Sequence, residues 1–178
     1  MHPLEKFKYC PVCGSSHFEI NDEKSKKCNN CGFTYYMNPS AATVAFIVND
    51  KDELLIERRS REPAKGTLDL PGGFVDINET GEEGVAREVM EETGLEVTDA
   101  KFLFDIPNVY LYSGLNVYTL DTFYLCHVKS ITEVKAADDA KECLWVPICD
   151  IHTEQFGLRS IRQGLYKFIE NWNKTLKK

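Results

Sequence analysis

The chain has 178 residues, of which 43% are hydrophobic and 28% charged, with a formal net charge of −7. That supports one ordinary domain with an apolar core plus a small additional unit. The negative balance argues against a general nucleic-acid binder, because phosphate backbones select basic surfaces.

The opening residues, MHPLEKFKYC, lack the apolar stretch of a signal peptide. The longest apolar run, residues 41–48, is interrupted by Thr43 and is too short to span a bilayer. Seven cysteines without a secretory leader point to a cytoplasmic, reducing setting and to metal binding rather than disulfides.

Residues 1–36 read as a first unit. Cys10-Pro-Val-Cys13-Gly14 and Cys28-Asn-Asn-Cys31-Gly32 are two CxxC-Gly knuckles separated by a short polar segment. Tetrahedral Zn²⁺ takes four thiolates, and each knuckle offers two. A segment this small buries little core, so metal binding supplies much of its folding energy. The expectation is a structural zinc ribbon. A redox CxxC is the competing reading for either pair alone, and two pairs at this spacing disfavour it. Lys24, Lys26 and Lys27 form a modest basic cluster, but Asp22 and Glu23 sit beside it. Contact with RNA or DNA is therefore the weaker reading.

Residues 37–178 are expected to form the second domain. The aromatics of residues 33–39 are expected to pack the ribbon against it, with Pro39 marking a boundary. Residues 41–48 read as a buried strand, Asn49 to Asp52 as a turn, and Leu54 to Ile56 as the returning strand, which ends in Glu57, Arg58 and Arg59. Arg58, Arg59, Arg61 and Lys65 follow closely. Guanidinium groups grip phosphate oxygens bidentately, so Arg58 and Arg59 are candidates for a diphosphate; a solvated strand end is the competing reading.

A helix is expected after residue 79. Thr80 and Glu83 have capping-box spacing, and Gly94 would end the helix. Val85, Ala86, Val89, Met90 and Thr93 share one predicted face, and Arg87, Glu88, Glu91 and Glu92 the other. Glu88 lies one turn from both Glu91 and Glu92. Like charges at that spacing cost roughly 0.2 to 0.5 kcal/mol per pair. A hard cation such as Mg²⁺ or Mn²⁺ would remove that cost. A solvated acidic face is the competing reading.

Further on, residues 97–106 and 119–128 read as strands, with a hairpin around Ser113-Gly114 between them and Cys126 as a core thiol. Residues 137–147 are acidic and lead into Trp145. Within residues 151–176, Ile161, Leu165, Phe168, Ile169, Trp172 and Leu176 recur at helical spacing, which predicts a docking helix.

Gly73, Glu79, Arg87, Glu88, Val89, Glu91, Glu92, Gly94 and Leu95 fill every fixed position of the pattern G-x5-E-x7-R-E-U-x-E-E-x-G-U, where U is a bulky aliphatic residue. The segment resembles a Nudix box. The order of cysteine ribbon, aromatic–Asn–Pro bridge and box resembles the zinc-ribbon Nudix group, which is related to NADH pyrophosphatases. That resemblance implies an α/β class fold, a Nudix α/β/α sandwich with a mixed sheet, and often a homodimer. It implies a metal-dependent hydrolase of nucleoside diphosphates linked to another moiety, with a nucleotide-conjugate small molecule as partner and no membrane.

The site residues implied by the resemblance are specific. Glu88, Glu91 and Glu92 would hold Mg²⁺ or Mn²⁺, one of them also serving as base. Arg87 would orient a carboxylate, Glu79 would support the metal shell, and the Gly73 carbonyl would approach the metal. Asp139, by its spacing from Trp145, or alternatively Glu142, would fold back over the box helix and add a metal ligand or a base. Tyr112 lies in the zone where some dinucleoside polyphosphate hydrolases carry a tyrosine. NADH pyrophosphatases carry an SQPWPFPxS array downstream of the box, and residues 104–113 here do not match it. That departure argues against NADH as the main substrate and leaves ADP-ribose, dinucleoside polyphosphates or another nucleotide conjugate as the candidates. The competing class is a non-catalytic nucleotide sensor or nucleic-acid binder. Such readers often lose box glutamates, and this chain keeps all of them.

Overall fold

The computed structural model describes residues 2–131, 134, 140–172 and 174. Asp139 lies outside the described residues. The chain divides into two units, Met1–Pro39 and Ser40–Lys178.

The first unit is a three-stranded antiparallel sheet of β1 (Phe18–Asp22), β2 (Ser25–Cys28) and β3 (Thr34–Tyr36), in that order. Its core is small: Cys10, Phe18 and Cys28, with Phe7 and Phe33 packed on them. Tyr35 stacks on Phe7 within this unit. Lys26 is buried, donating to the Phe7 carbonyl at 2.6 Å and standing over the Phe18 ring. The basic cluster expected at Lys24–Lys27 is thus thinner at the surface than its composition suggests.

The second unit contains β4 (Ser40–Phe46), β5 (Glu53–Arg59), β6 (Leu68–Asp69), α1 (Gly81–Thr93), β7 (Val97–Tyr112), β8 (Leu115–Val128), β9 (Ala140–Pro147) and α2 (Arg159–Asn171). One sheet has the order β4-β8-β7 and is mixed: β4 runs parallel to β8, and β7 antiparallel to it. The other has the order β6-β5-β9 and is antiparallel. The expected hairpin turns at Ser113-Gly114, and its arms continue the predicted strands without a break. The expected pairing of β4 with a returning β5 is reduced to a bridge between Val48 and Leu54. The physical reason lies in burial. Val44 to Ile47 are covered on both faces, the setting in which parallel ladders are found.

Strand alternation divides that buried run between two cores. Val44 and Phe46 join Phe123 and the α2 residues Ile161, Leu165 and Phe168 on one side. Phe46 and Phe168 stack with ring centroids 3.9 Å apart. Ala45 and Ile47 join Leu55 and the α1 residues Val85 and Val89 on the other. The result is the expected helix–sheet–helix sandwich. Burying each such side chain contributes roughly 1.5 to 3 kcal/mol.

Helix α1 begins and ends as its sequence predicts. Thr80 accepts from the Glu83 amide, Glu83 accepts from the Thr80 amide, and Gly94 closes the helix in the left-handed conformation. The predicted faces need one correction. Met90 is exposed, whereas Glu92 is buried beside Thr93. Among the described residues no helix is long and apolar enough to cross a membrane.

Candidate active site

The box begins in a turn laid against β4. The Ala45 amide donates to the Pro71 carbonyl and the Thr43 amide to the Gly73 carbonyl, both at 2.8 Å. Gly72 has φ 149°, and a Cβ there would stand 2.1 Å from the Thr43 carbonyl oxygen. A Cβ on Gly73 would meet the Glu88 carboxylate at 2.5 Å. Glu88 therefore rests directly on the glycine backbone. The Gly72 amide donates to Glu92 Oε2 at 2.9 Å. The Gly73 carbonyl, expected to approach a metal, already accepts from the Thr43 amide at 2.8 Å and from the Thr43 hydroxyl at 3.5 Å.

Arg87 organises the remaining carboxylates. Its Nε and Nη2 donate to the two oxygens of Glu79, and Nη2 also donates to the Phe74 carbonyl. Its Nη1 donates to Glu88 at 2.9 Å and to Glu91 at 3.1 Å. The Arg87 hydrogen bonds first, then one from the Asp76 amide, hold Glu79 below the usual carboxylate range. Glu79 thus orients Arg87 from the turn before the helix.

Glu92 sits deeper, at 4% exposure. Burial first, then the neighbouring Glu57 carboxylate, push it up to about 10, against the lowering effect of the Gly72 amide. Glu57, Asp69 and Asp121 are also buried. Burial raises Asp69 as well, opposed by its ion pair with Arg59. Sequence reasoning passed over Glu57, Asp69 and Asp121. For Glu57 a signal was available: it alternates with Leu55, whose face of β5 turns toward α1.

A cavity of about 550 Å³ joins these parts. Gly73, Glu88, Glu91, Glu92, Arg59 and Tyr112, all expected at the site, line it. Arg58 and Glu142 are not among its lining residues. They are cross-strand partners on β5 and β9 and form an ion pair with each other. Arg58 follows Glu57 by one residue, so pleat alternation turns it to the opposite face from Glu57 and Arg59. The predicted convergence of Glu88, Glu91 and Glu92 is looser than expected. Among the described residues only the four cysteines bring three or more ligand atoms within 4.8 Å of one another. Arg87 draws Glu88 and Glu91 to one side, while the Gly72 amide draws Glu92 to the other.

In the first unit Cys10, Cys13, Cys28 and Cys31 form that compact group. The sulfurs of Cys10 and Cys31 are 3.7 Å apart, and those of Cys13 and Cys28 3.6 Å. Tetrahedral bonds of about 2.3 Å place sulfurs about 3.8 Å from one another, so the cluster has the size of a metal site. The Ser15 backbone and the Asn30 amide bring Cys13 down to about 6, whereas Cys31, against the lowering effect of the Phe33 amide, is pushed up to about 12 by Cys13 and burial, a competition that a bound cation would relieve. Gly14 and Gly32 turn each knuckle at positive φ.

A family model described as NUDIX domain matches residues 37–171. The chain belongs to the NUDIX family. Among relatives of this NUDIX chain, a protein named ADP-ribose pyrophosphatase from Methanocaldococcus jannaschii is 42% identical over 119 residues, covering 62% of this chain and 63% of that protein. A protein named NAD-capped RNA hydrolase NudC from Shigella dysenteriae serotype 1 is 31% identical over 114 residues, covering 64% of this chain and 44% of that protein. The matches thus span less than two thirds of either relative. A NUDIX hydrolase structure from Nitrosomonas europaea superimposes with TM-score 0.75 at 21% identity, covering 94% of this chain and 93% of that one, a likeness of fold. A MutT protein structure from Methanosarcina mazei Go1 gives TM-score 0.63 at 27% identity, covering 79% of this chain and all of that one, 100%.

Proposed function

We propose that the chain is a divalent-metal-dependent hydrolase that cleaves the pyrophosphate link of a nucleoside diphosphate joined to another moiety. The observation that carries this reading is the single cavity lined by Glu88, Glu91 and Glu92 from α1, the Gly72-Gly73 turn and Arg59. The donor set consists of hard oxygens, which suits Mg²⁺ or Mn²⁺. Glu88, Glu91 and Glu92 would hold the cation with the Gly73 carbonyl. When bound, it would neutralise the diphosphate and acidify the attacking water.

The chain's own residues supply the rest. Arg87 positions Glu88 and Glu91 through its Nη1, and the Gly72 amide positions Glu92. One of these glutamates takes the proton of the attacking water. Arg59, aligned by Asp69, offers positive charge to a phosphate at the cavity wall. Water adds to one phosphorus, the bridging oxygen leaves with the other, and two phosphomonoesters result.

In the same reading the first unit, residues 1–36, is a zinc ribbon whose four thiolates hold one Zn²⁺ for structure, and residues 37–178 form the catalytic domain. The names of the two relatives make ADP-ribose the first substrate to try, with NAD-capped RNA behind it. A screen with Mg²⁺ and Mn²⁺ over ADP-ribose, NADH and diadenosine polyphosphates tests the proposal. Metal-dependent formation of AMP from ADP-ribose is expected. Tight nucleotide binding with no hydrolysis of any conjugate would instead support a sensor.

A further inference from the structure

The sheet face that carries Phe104 and Phe123 changes character toward the tip of the β7–β8 hairpin. Phe104 pairs with Phe123, and the next pairs on that face are Ile106 with Asp121, Asn108 with Thr119, and Tyr110 with Val117. The face thus passes from apolar core to a polar patch and then to an aromatic residue. Asn108, Thr119 and Asp121 are 6%, 3% and 5% exposed. Buried polar groups cost stability unless hydrogen-bonded. Asn108 Nδ2 donates to Asp121 Oδ2 at 3.3 Å. Thr119 Oγ1 is buried with no hydrogen-bond partner among the described residues. All three line the cavity that holds Glu88 and Glu92.

This patch has a definite preference. With Nδ2 turned to Asp121, Asn108 offers its Oδ1 as an acceptor, and the Asp121 carboxylate keeps acceptor capacity of its own. Two acceptors beside a hydroxyl suit a group with two adjacent donors, such as a vicinal diol. Position points the same way. Across the sheet, Phe74 bridges Ala42, and Ala42 neighbours Asp121. Two strand spacings separate the box turn from the patch, about 10 Å. Tyr110 and Tyr112 lie farther out along the same strand. Carboxylates, polar patch and aromatics therefore follow one another as diphosphate, sugar and base do in a nucleotide.

We propose that Asp121, Asn108 and Thr119 bind the 2′- and 3′-hydroxyls of the ribose in the nucleotide half of the substrate. This subsite rests on the hydrolase reading above for its diphosphate, and its test separates the two. Hydrolysis of ADP-ribose is compared with that of its 2′-deoxyadenosine, 3′-deoxyadenosine and hypoxanthine counterparts, with Mg²⁺. In parallel, calorimetry compares the binding of AMP with that of 2′-deoxyAMP. The wild-type protein loses about tenfold or more in kcat/KM with each deoxy substrate, because a hydrogen bond to a charged group is forfeited. The hypoxanthine substrate is cleaved as well as the parent.

Asp121→Asn and Thr119→Val shrink the deoxy penalty toward nothing. Thr119→Val also leaves the melting temperature unchanged or raised, because the lost hydroxyl has no partner to lose. Deoxy substrates cleaved as fast as ADP-ribose overturn the subsite, as does a full penalty retained in both variants. Loss confined to the hypoxanthine substrate overturns it in favour of the base. If no conjugate is hydrolysed, the hydrolase reading fails. The ribose subsite then stands only if AMP binds at least several-fold more tightly than 2′-deoxyAMP; equal or undetectable binding overturns it.

Discussion

Arg87 Nε and Nη2 donate to Glu79 Oε1 and Oε2, each at 2.9 Å, so the guanidinium closes on the carboxylate as a two-pronged fork. The same side chain reaches Glu88 and Glu91 through Nη1. A lysine can supply the charge but not this planar geometry. Arg87→Lys should therefore lower Mg²⁺-dependent turnover about 10- to 100-fold, as loss of a supporting group around a metal site does. A Mg²⁺ titration of the initial rate checks it. An unchanged metal dependence and rate would show that the fork is dispensable.

Glu92 presents the opposite balance between stability and activity. It is buried beside Glu57, and its charged form is disfavoured there. Glu92→Gln keeps the shape and removes the charge. Turnover should fall about a hundred- to ten-thousandfold, the range associated with a positioned acid or base. The metal-free fold should be as stable or more so. Product formation and thermal unfolding of the same preparation measure both.

The pH dependence of metal-free stability follows from the same residue. Its folded value, about 10, stands above the ordinary 4.5. Between those pH values the folded protein keeps a proton that the unfolded chain has released. Its contribution is therefore greatest below the ordinary value and declines as pH rises toward about 10. Denaturation curves of wild type and Glu92→Gln, taken without divalent cations, should converge at low pH and separate as pH rises, with the variant the more stable. Parallel curves across that window would exclude Glu92 as the source.

Gly72 and Gly73, adjacent in the turn at the start of the box, should respond differently to one added methyl group. At Gly72 a Cβ would collide with the Thr43 backbone at positive φ, so Gly72→Ala should lower stability or yield. At Gly73 the collision is with the Glu88 carboxylate, the end of a flexible side chain. Gly73→Ala should fold and lose activity by displacing Glu88. Circular dichroism and turnover, read side by side, separate the cases.

The four sulfurs predict one Zn²⁺ per chain by elemental analysis. Cys28 is fully buried in the small core of its unit. Cys28→Ser should abolish zinc retention and loosen Met1–Pro39, because metal binding and folding of so small a unit are one equilibrium. Amide exchange should show the loss of protection there. Full protection in a zinc-free variant would show that the unit folds on apolar contacts alone.

Much of this protein was legible because its signals are local. A capping box spans one helical turn, a left-handed glycine ends a helix by its own backbone freedom, and a CxxC-Gly knuckle is closed by its own amides. The box, α1, both cysteine pairs and the Ser113-Gly114 hairpin were readable for that reason. Where polarity stood in for position, the reading slipped. Glu92 lies three residues from Val89 and seven from Val85, on the buried stripe of a helix with 3.6 residues per turn. Charge alone puts Glu92 outside and apolarity alone puts Met90 inside, whereas the helix buries Glu92 and exposes Met90.

Only the assembled sheets decided the rest. Arg59, Asp69, Asn108 and Asp121 come from four strands, and nothing in their immediate neighbours says that they will line one cavity. Arg58 and Arg59 are adjacent in sequence, yet pleat alternation sends one to Glu142 and the other to Asp69. The residues proposed to hold the metal are written within a single helix and its turn, where spacing along the chain is spacing in the fold. The residues that shape the cavity around it meet only through long-range pairing, and that pairing is a property of the folded sheet.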